Sequence, residues 1–253
     1  MKPSPTPPSA SDARLEAHSR PPIPVLDLGL APYAPLLQLQ RDLRARVAEG
    51  ILPGVLLLLE HEPVITLGSR GGEADLVRSE DVSSSHLPWS PPVPVIKTER
   101  GGAATLHAPG QLVSYPIMRI PGRDLRAFVA GLEQVLMDLL AGLGVAVERR
   151  AGAPGLYVRG AKIASVGLRC QRWVSSHGTS LNVSIDLGLF DGIVSCGEIG
   201  LQQTSVLAET GSAPSMPEVK RRYAQAFSSV FGTSLGPMLH STPERASADL
   251  GLR

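Results

Sequence analysis

Two short phrases carry residues that do chemistry in company. Gly160-Ala161-Lys162-Ile163-Ala164-Ser165-Val166-Gly167 presents a lysine, and Ser195-Cys196-Gly197 presents a cysteine. A free thiol has a pKa of about 8.5 and is mostly protonated near neutral pH, so it is a poor nucleophile until something takes or stabilises its proton. An amine does either: neutral, it accepts the thiol proton; charged, it stabilises the thiolate. Cys196 with Lys162 is therefore a candidate for covalent acyl transfer. Most free cysteines are buried and inert, and that reading fits Cys170, late in a strand beside Leu168, Arg169 and Gln171. Cys196 instead precedes Gly197, in a setting where a turn leaves the thiol accessible.

Two further phrases are built to line a cleft. The run from Arg100 to Gln111, Arg-Gly-Gly-Ala-Ala-Thr-Leu-His-Ala-Pro-Gly-Gln, packs a cation, an imidazole and three glycines into a segment poor in bulk. Glycines let a ligand approach the backbone. An isolated Gly-Gly usually marks only a tight turn, but Arg100 and His107 flank this one and favour a site. It is not a phosphate loop, because the Lys-Ser or Lys-Thr ending is missing. His177-Gly178-Thr179-Ser180 lies between the lysine and cysteine segments, where His177 shapes the pocket, and backbone N–H groups near Gly178 or Gly197 are candidate oxyanion donors. Two cysteines and scattered histidines show no short ligand-pair spacing for zinc.

Composition narrows the class. The chain has 253 residues, 43% hydrophobic but only 4% aromatic, enough for one aliphatic core. A net charge of +1 argues against recognition of nucleic acid or a membrane surface by bulk charge. A Cys170–Cys196 bridge is conceivable, yet disulfide frameworks belong to small oxidised domains. Prolines and serines stand where a signal peptide needs an apolar stretch, and no apolar run approaches about eighteen residues. The expectation is a protein of a reducing compartment, the cytoplasm.

The elements that must position these residues follow from periodicity. Leu125 to Leu143 carries apolar residues at steps of three and four, with Asp124 to cap the start and Gly144 to end it. Leu36–Val47 and Pro217–Phe231 are further helices, the latter closed by Gly232. Strands are expected at 54–60, 63–67, 93–98, 111–117, 145–148, 155–158, 162–169 and 178–183. Meanders mixed with helical crossovers give an α+β class with a mixed β-sheet and packed helices. Residues 1–24 read as a disordered Pro/Ser-rich arm, 25–236 as one catalytic domain, 237–253 as a flexible tail, and 79–94 as a loop.

The runs RGGAATLHAPGQLVSYPI (100–117) and GAKIASVGLRCQRWVSSHGTSLNV (160–183), with SCG at 195–197, resemble the lipoyl(octanoyl) transferase family over roughly residues 25–235. The resemblance implies the fold of lipoate and biotin protein ligase catalytic domains. It implies transfer of an octanoyl group from acyl carrier protein to a specific lysine of lipoyl domains, those of 2-oxoacid dehydrogenases and of the glycine cleavage H protein, with no cofactor, metal, nucleic acid or membrane. Cys196 matches the acyl-thioester nucleophile and Lys162 the lysine that activates it. Acyl-chain binding carries over to Arg100, Gly101, Gly102, Ala103, Ala104, Thr105, Leu106 and His107, to Ser165, Val166 and Gly167, and to Gly178, Thr179 and Ser180. Departures are Ala103, Leu106 and Ala108, where the family often has Asp, Tyr and Gly, and Glu198, where an aliphatic residue is usual. The rival readings are an ATP-dependent lipoate or biotin ligase, in which Lys162 would bind phosphates, and an idle module that docks lipoyl domains or acyl carrier protein.

Overall fold

The structure, a computed structural model, describes residues 21–76 and 93–252. Most of the N-terminal arm and of the 79–94 loop lie outside the described residues. The strands are β1 (Ile23–Ala31), β2 (Gly54–His61), β3 (Val64–Leu67), β4 (Val95–Lys97), β5 (Ala104–His107), β6 (Gln111–Met118), β7 (Glu148–Arg149), β8 (Gly155–Val158), β9 (Ala161–Gln171), β10 (Val174–Asn182) and β11 (Leu235–His240). The helices are α1 (Tyr33–Glu49), α2 (Leu125–Ala141), α3 (Val206–Thr210), α4 (Met216–Phe231) and α5 (Ala246–Asp249). Eight strands form one sheet in the order β11-β1-β2-β6-β10-β9-β8-β7, and β4-β3-β5 form a second, smaller sheet. In the large sheet β1 runs parallel to β11 and β2, and the remaining pairs are antiparallel. The mixed α+β class is as expected.

The centre of the large sheet is apolar on both faces, which is why β2 reads as a continuous Val-Leu-Leu-Leu-Leu run. Leu56 and Leu58 point into a core shared with Phe128, Leu132 and Leu136 of α2 and Tyr223 and Phe227 of α4. Leu57 and Leu59 point the other way, against Leu36, Leu39 and Leu43 of α1. All four β2 leucines are fully buried, and each contributes about 1.5–3 kcal/mol through the water it sheds. Asp124 caps α2 by accepting from the Ala127 N–H at 2.9 Å. The helix stops at Ala141, and Gly144 takes φ +79° just beyond it.

Several boundaries differ from the sequence reading. The arm yields to β1 at Ile23. The segment 237–253 is not an unpatterned tail: it completes β11 and carries α5, whose Ala246 is buried. Leu-Gly-Pro-Met-Leu-His lacks strand propensity, but Pro237 is tolerated at an edge, where β11 pairs only with β1. Ala104–His107, read as part of a glycine-rich loop, is strand β5. Of 145–148 only Glu148 enters a strand. The β9–β10 hairpin turns at Arg172 and Trp173, with φ +52° and +60°, the two left-handed residues of a type I′ turn without its usual glycine.

One polar contact fixes α4 against the N-terminal strand. Lys220 on α4 donates to Asp27 on β1; both are buried, and the carboxylate also accepts from Gly29 N–H at 3.0 Å. Removing one partner of a buried pair leaves an uncompensated charge. Lys220→Met should therefore lower the unfolding free energy in urea by about 3–5 kcal/mol, and adding Asp27→Asn should restore most of that loss. A single-variant loss below about 1 kcal/mol would show that the pair contributes nothing the surrounding packing does not.

Candidate active site

Lys162 is the second residue of β9, and its backbone is clamped from outside the large sheet. Its N–H donates to Gln202 O at 2.8 Å, and its carbonyl accepts from Thr204 N–H at 2.9 Å. The side chain is buried, and Nζ lies 3.2 Å from Cys196 Sγ and 3.2 Å from Pro154 O. Its route passes Gly155, where φ is +126° and an added Cβ would stand 2.8 Å from Lys162 Cε and 2.4 Å from Ala164 O. Only glycine leaves that passage open. Glu133 of α2 secures the turn from behind: its Oε1 accepts from Gly155 N–H at 2.9 Å.

Cys196 approaches from the other sheet. Its N–H donates to Ala104 O of β5 at 2.9 Å, and Val194 N–H donates to Asp75 O at 2.8 Å, so the loop is tied to the small sheet and to the turn at Glu73–Asp75. The cysteine takes φ +59°, a conformation that costs an L-residue roughly 1–2 kcal/mol, and Gly197 follows at +72°. The Gly197 N–H is engaged with Val194 O at 3.2 Å. It is therefore not a free oxyanion donor, contrary to the sequence expectation. Among the described residues, the side-chain donor within hydrogen-bonding distance of Sγ is Lys162.

The pair opens on a cavity of about 680 Å³ between the two sheets, within the usual size of a small-molecule site. Its wall includes Arg100, Gly101, Gly102, Ala103, Ala104, Thr105 and His107, then Ser165, Val166 and Gly167, and Gly178, Thr179 and Ser180. Leu106 is the exception. It points with Ile65 and Leu67 into the core of the small sheet, because alternate residues of β5 face opposite sides. Gly167 and Gly178 oppose each other across β9 and β10. A Cβ on Gly178 would meet Ser114 O at 2.1 Å, and one on Gly167 would meet Gly101 O at 3.1 Å. Glycine here lets three strands and a loop close around a thin wall.

Arg100 lines the cavity, and each nitrogen of its guanidinium is engaged with the surrounding loop and strand. It donates to Thr66 O at 2.6 Å, Thr66 Oγ1 at 2.9 and 3.1 Å, Ala103 O at 2.8 Å and Gly101 O at 3.0 Å. It holds the glycine loop onto β3. Burial works against its charge, while Tyr33 and Cys196 favour it. Cys170 is free, half-buried, and packed against the α2–α4 core, away from the cavity wall.

The chain matches the lipoyl protein ligase A/B catalytic domain family over residues 32–228. It is 40% identical to the octanoyltransferase of Syntrophotalea carbinolica, covering 83% of this chain and 95% of that one. It is also 40% identical to the octanoyltransferase of Geobacter sulfurreducens, covering 89% and 92%. The chain belongs to the octanoyltransferase family. The fold of this octanoyltransferase-family chain is also that of distant solved structures. A bipartite lipoate protein ligase from Thermoplasma acidophilum superposes with a TM-score of 0.67 at 13% identity, covering 90% of this chain and 91% of the other. A lipoate-protein ligase A bound with ATP gives the same score and identity, covering 90% and 94%.

The octanoyltransferase-family site has a further cluster that sequence reasoning did not assemble. Tyr33, His107, Tyr115 and His177 line the cavity, and His61 packs behind them, with ring centroids of Tyr33 4.9 Å from His61 and 6.1 Å from His107. His61 Nδ1 meets Ala31 O at 2.9 Å and must donate there, so its Nε2 accepts from Tyr115 Oη at 2.7 Å. His107 Nδ1 meets Gln111 Oε1 at 2.7 Å. The Gln111 amide nitrogen donates to Leu106 O and Asn182 Oδ1, so Oε1 accepts from His107. His177 takes φ +56° within β10, held by its N–H to Gln40 Oε1 at 2.7 Å. The signals were dispersed: Tyr33 and Gln40 sit on α1, far in sequence from either motif.

These rings are kept neutral. Burial, helped by neighbouring His61, pushes His107 down to about 3; burial, helped by Arg100, pushes His177 down to about 3; and burial brings His61 to about 4. Burial likewise raises Tyr33 to about 12. The unfolded chain binds these three imidazole protons as the pH falls through about 6.5, whereas the folded chain refuses them until about 3–4. Their stabilising contribution is full above pH 6.5 and shrinks steadily as pH falls toward 4. His107→Asn should reduce proton uptake on unfolding between pH 4.5 and 6 by about one proton, read from the pH slope of the unfolding free energy. An unchanged slope would mean that His107 is already protonated in the folded state.

Proposed function

We propose that the chain transfers an octanoyl group from acyl carrier protein to a lysine of lipoyl domains through a Cys196 thioester. The observation that carries this reading is the 3.2 Å contact between Lys162 Nζ and Cys196 Sγ on the wall of a cavity that opens to the surface. The named relatives support the activity, since curated proteins about 40% identical over most of their length are called octanoyltransferases. The Thermoplasma ligase, whose structure is described with its E2 lipoyl domain, supports a lipoyl-domain acceptor on this fold.

The steps balance on the two side chains. Lys162 takes the Cys196 proton, and the thiolate attacks the thioester carbonyl, forming a C–S bond and an oxyanion that the ammonium stabilises. Collapse breaks the carrier's C–S bond, and Lys162 returns its proton to the departing thiolate. The amine of the acceptor lysine then attacks the acyl-enzyme carbonyl. Lys162 removes the amine proton as the new C–N bond forms, and Cys196 leaves as thiolate beside the regenerated ammonium. The acyl tail occupies the cavity, where each buried methylene contributes about 0.8 kcal/mol. The thioester is already activated, so no adenylate is required.

Incubation of the full chain with octanoyl acyl carrier protein in ATP-free buffer should add one octanoyl group, mapped to Cys196 by peptide mass. Cys196→Ala should abolish the adduct and lower transfer by at least about a thousandfold, whereas Cys170→Ala should retain most of the rate. An adduct on Cys170, or strict dependence on ATP and Mg²⁺, would overturn the assignment, the latter in favour of a ligase.

A further inference from the structure

Tyr157 belongs to no motif, yet its ring lines the cavity beside Lys162. Tyr157 and Lys162 are direct cross-strand partners in the β8–β9 pairing, so their side chains share a face. Lys162 Nζ stands 5.2 Å from the Tyr157 ring centroid. The ring is 1% exposed, and its hydroxyl donates to Ala153 O at 3.3 Å, which fixes its plane against the turn that also supplies Pro154 O. A second cation, the Arg150 guanidinium, lies 4.9 Å from the same centroid. Its charge is balanced by Glu198, with which it pairs across the lip of the cavity.

We infer that Tyr157 is a positioning residue for Lys162, its ring face and the Pro154 carbonyl together forming a cradle that selects the ammonium over the neutral amine. An aromatic face attracts a cation through its quadrupole and has no comparable attraction for an uncharged amine, and the preference grows where water is excluded. The carbonyl likewise bonds more strongly to a charged donor. Of the ways to share one proton between sulfur and nitrogen, the cradle favours thiolate with ammonium, the form in which Cys196 is a nucleophile. Glu198 serves the same end, attracting Lys162 directly and balancing the guanidinium charge that would repel it. The inference rests on Cys196 as the acyl-accepting nucleophile, but its test does not.

The experiment follows the Lys162 side-chain signal against pH in the full chain carrying ¹³C-labelled lysine, the signal being assigned by its loss in Lys162→Arg. Tyr157→Phe keeps the ring and should titrate within about a third of a pH unit of the parent. Tyr157→Leu keeps apolar bulk but removes the ring, and should release the Lys162 proton about one pH unit lower, roughly a tenfold loss of proton affinity. If the leucine variant fails to fold, Tyr157→pentafluorophenylalanine retains the shape while reversing the ring's charge distribution, and the same downward shift is expected. A folded ring-deficient variant that titrates with the parent, or a Phe variant that shifts as far as the Leu one, overturns the inference. Absence of an octanoyl adduct on Cys196 in the parent protein would instead overturn the transferase reading and leave this titration standing.

Discussion

Sulfur and nitrogen meet at 3.2 Å because two backbone segments are tied to different sheets and cannot relax apart. Cys196 hangs from Ala104 of the small sheet, and Lys162 stands at the start of β9 in the large one, clamped by Gln202 and Thr204. The span from 194 to 204 therefore touches both sheets within eleven residues of chain. Much of the local irregularity serves that contact. Cys196 accepts a left-handed backbone, Gly155 gives up its side chain to let the lysine pass, and Glu133 of α2 reaches back to hold Gly155 in place.

The cavity beside the pair is shaped by glycines on one side and by neutral polar rings on the other. Gly101, Gly167 and Gly178 bring main chains close enough to form a thin wall, while Tyr33, His107, Tyr115 and His177 supply bulk without charge. Arg100 is the one buried cation in that wall among the described residues apart from Lys162, and its donors are bound to oxygen atoms of Thr66, Gly101 and Ala103. It acts as a fastener of the loop. Lys162 is the cation in direct contact with the thiol, held also by Pro154 O, while Arg100 and Arg150 act on Cys196 from further off.

What was legible in the sequence was whatever repeats or stands in a phrase. The α2 helix showed itself through Phe128, Leu132, Val135, Leu136 and Leu139 on one face, and its cap through Asp124. Lys162 and Cys196 stood in recognisable phrases, and all but one of the residues carried over with them reach the cavity wall. Leu106 failed because Ala104–His107 is a strand, and alternation sends its side chain into the core of the small sheet. β11 was hidden by Gly236 and Pro237, since its strand character comes wholly from a distant partner. The ring cluster and Tyr157 were illegible for a related reason. His107 and His177 stood in phrases, but Tyr33, His61, Tyr115 and Tyr157 have no local pattern and join them only when α1, β2, β5, β6, β8 and β10 converge.

The parallel pairing of β11 with β1 has a temporal meaning. Strand β1 lies between β2, which soon follows it in the chain, and β11, which comes only after the active-site segments. The outer flank of β1, with Asp27 awaiting Lys220, stays open throughout translation until α4 and β11 emerge. A nascent chain halted before residue 216 would hold the Lys162 and Cys196 segments while still exposing an unpaired parallel edge and a buried-side carboxylate without its partner. Such edges invite pairing with other chains. Pairing is therefore local up to the active-site segments and non-local beyond them, with β11 closing the flank that β1 leaves open.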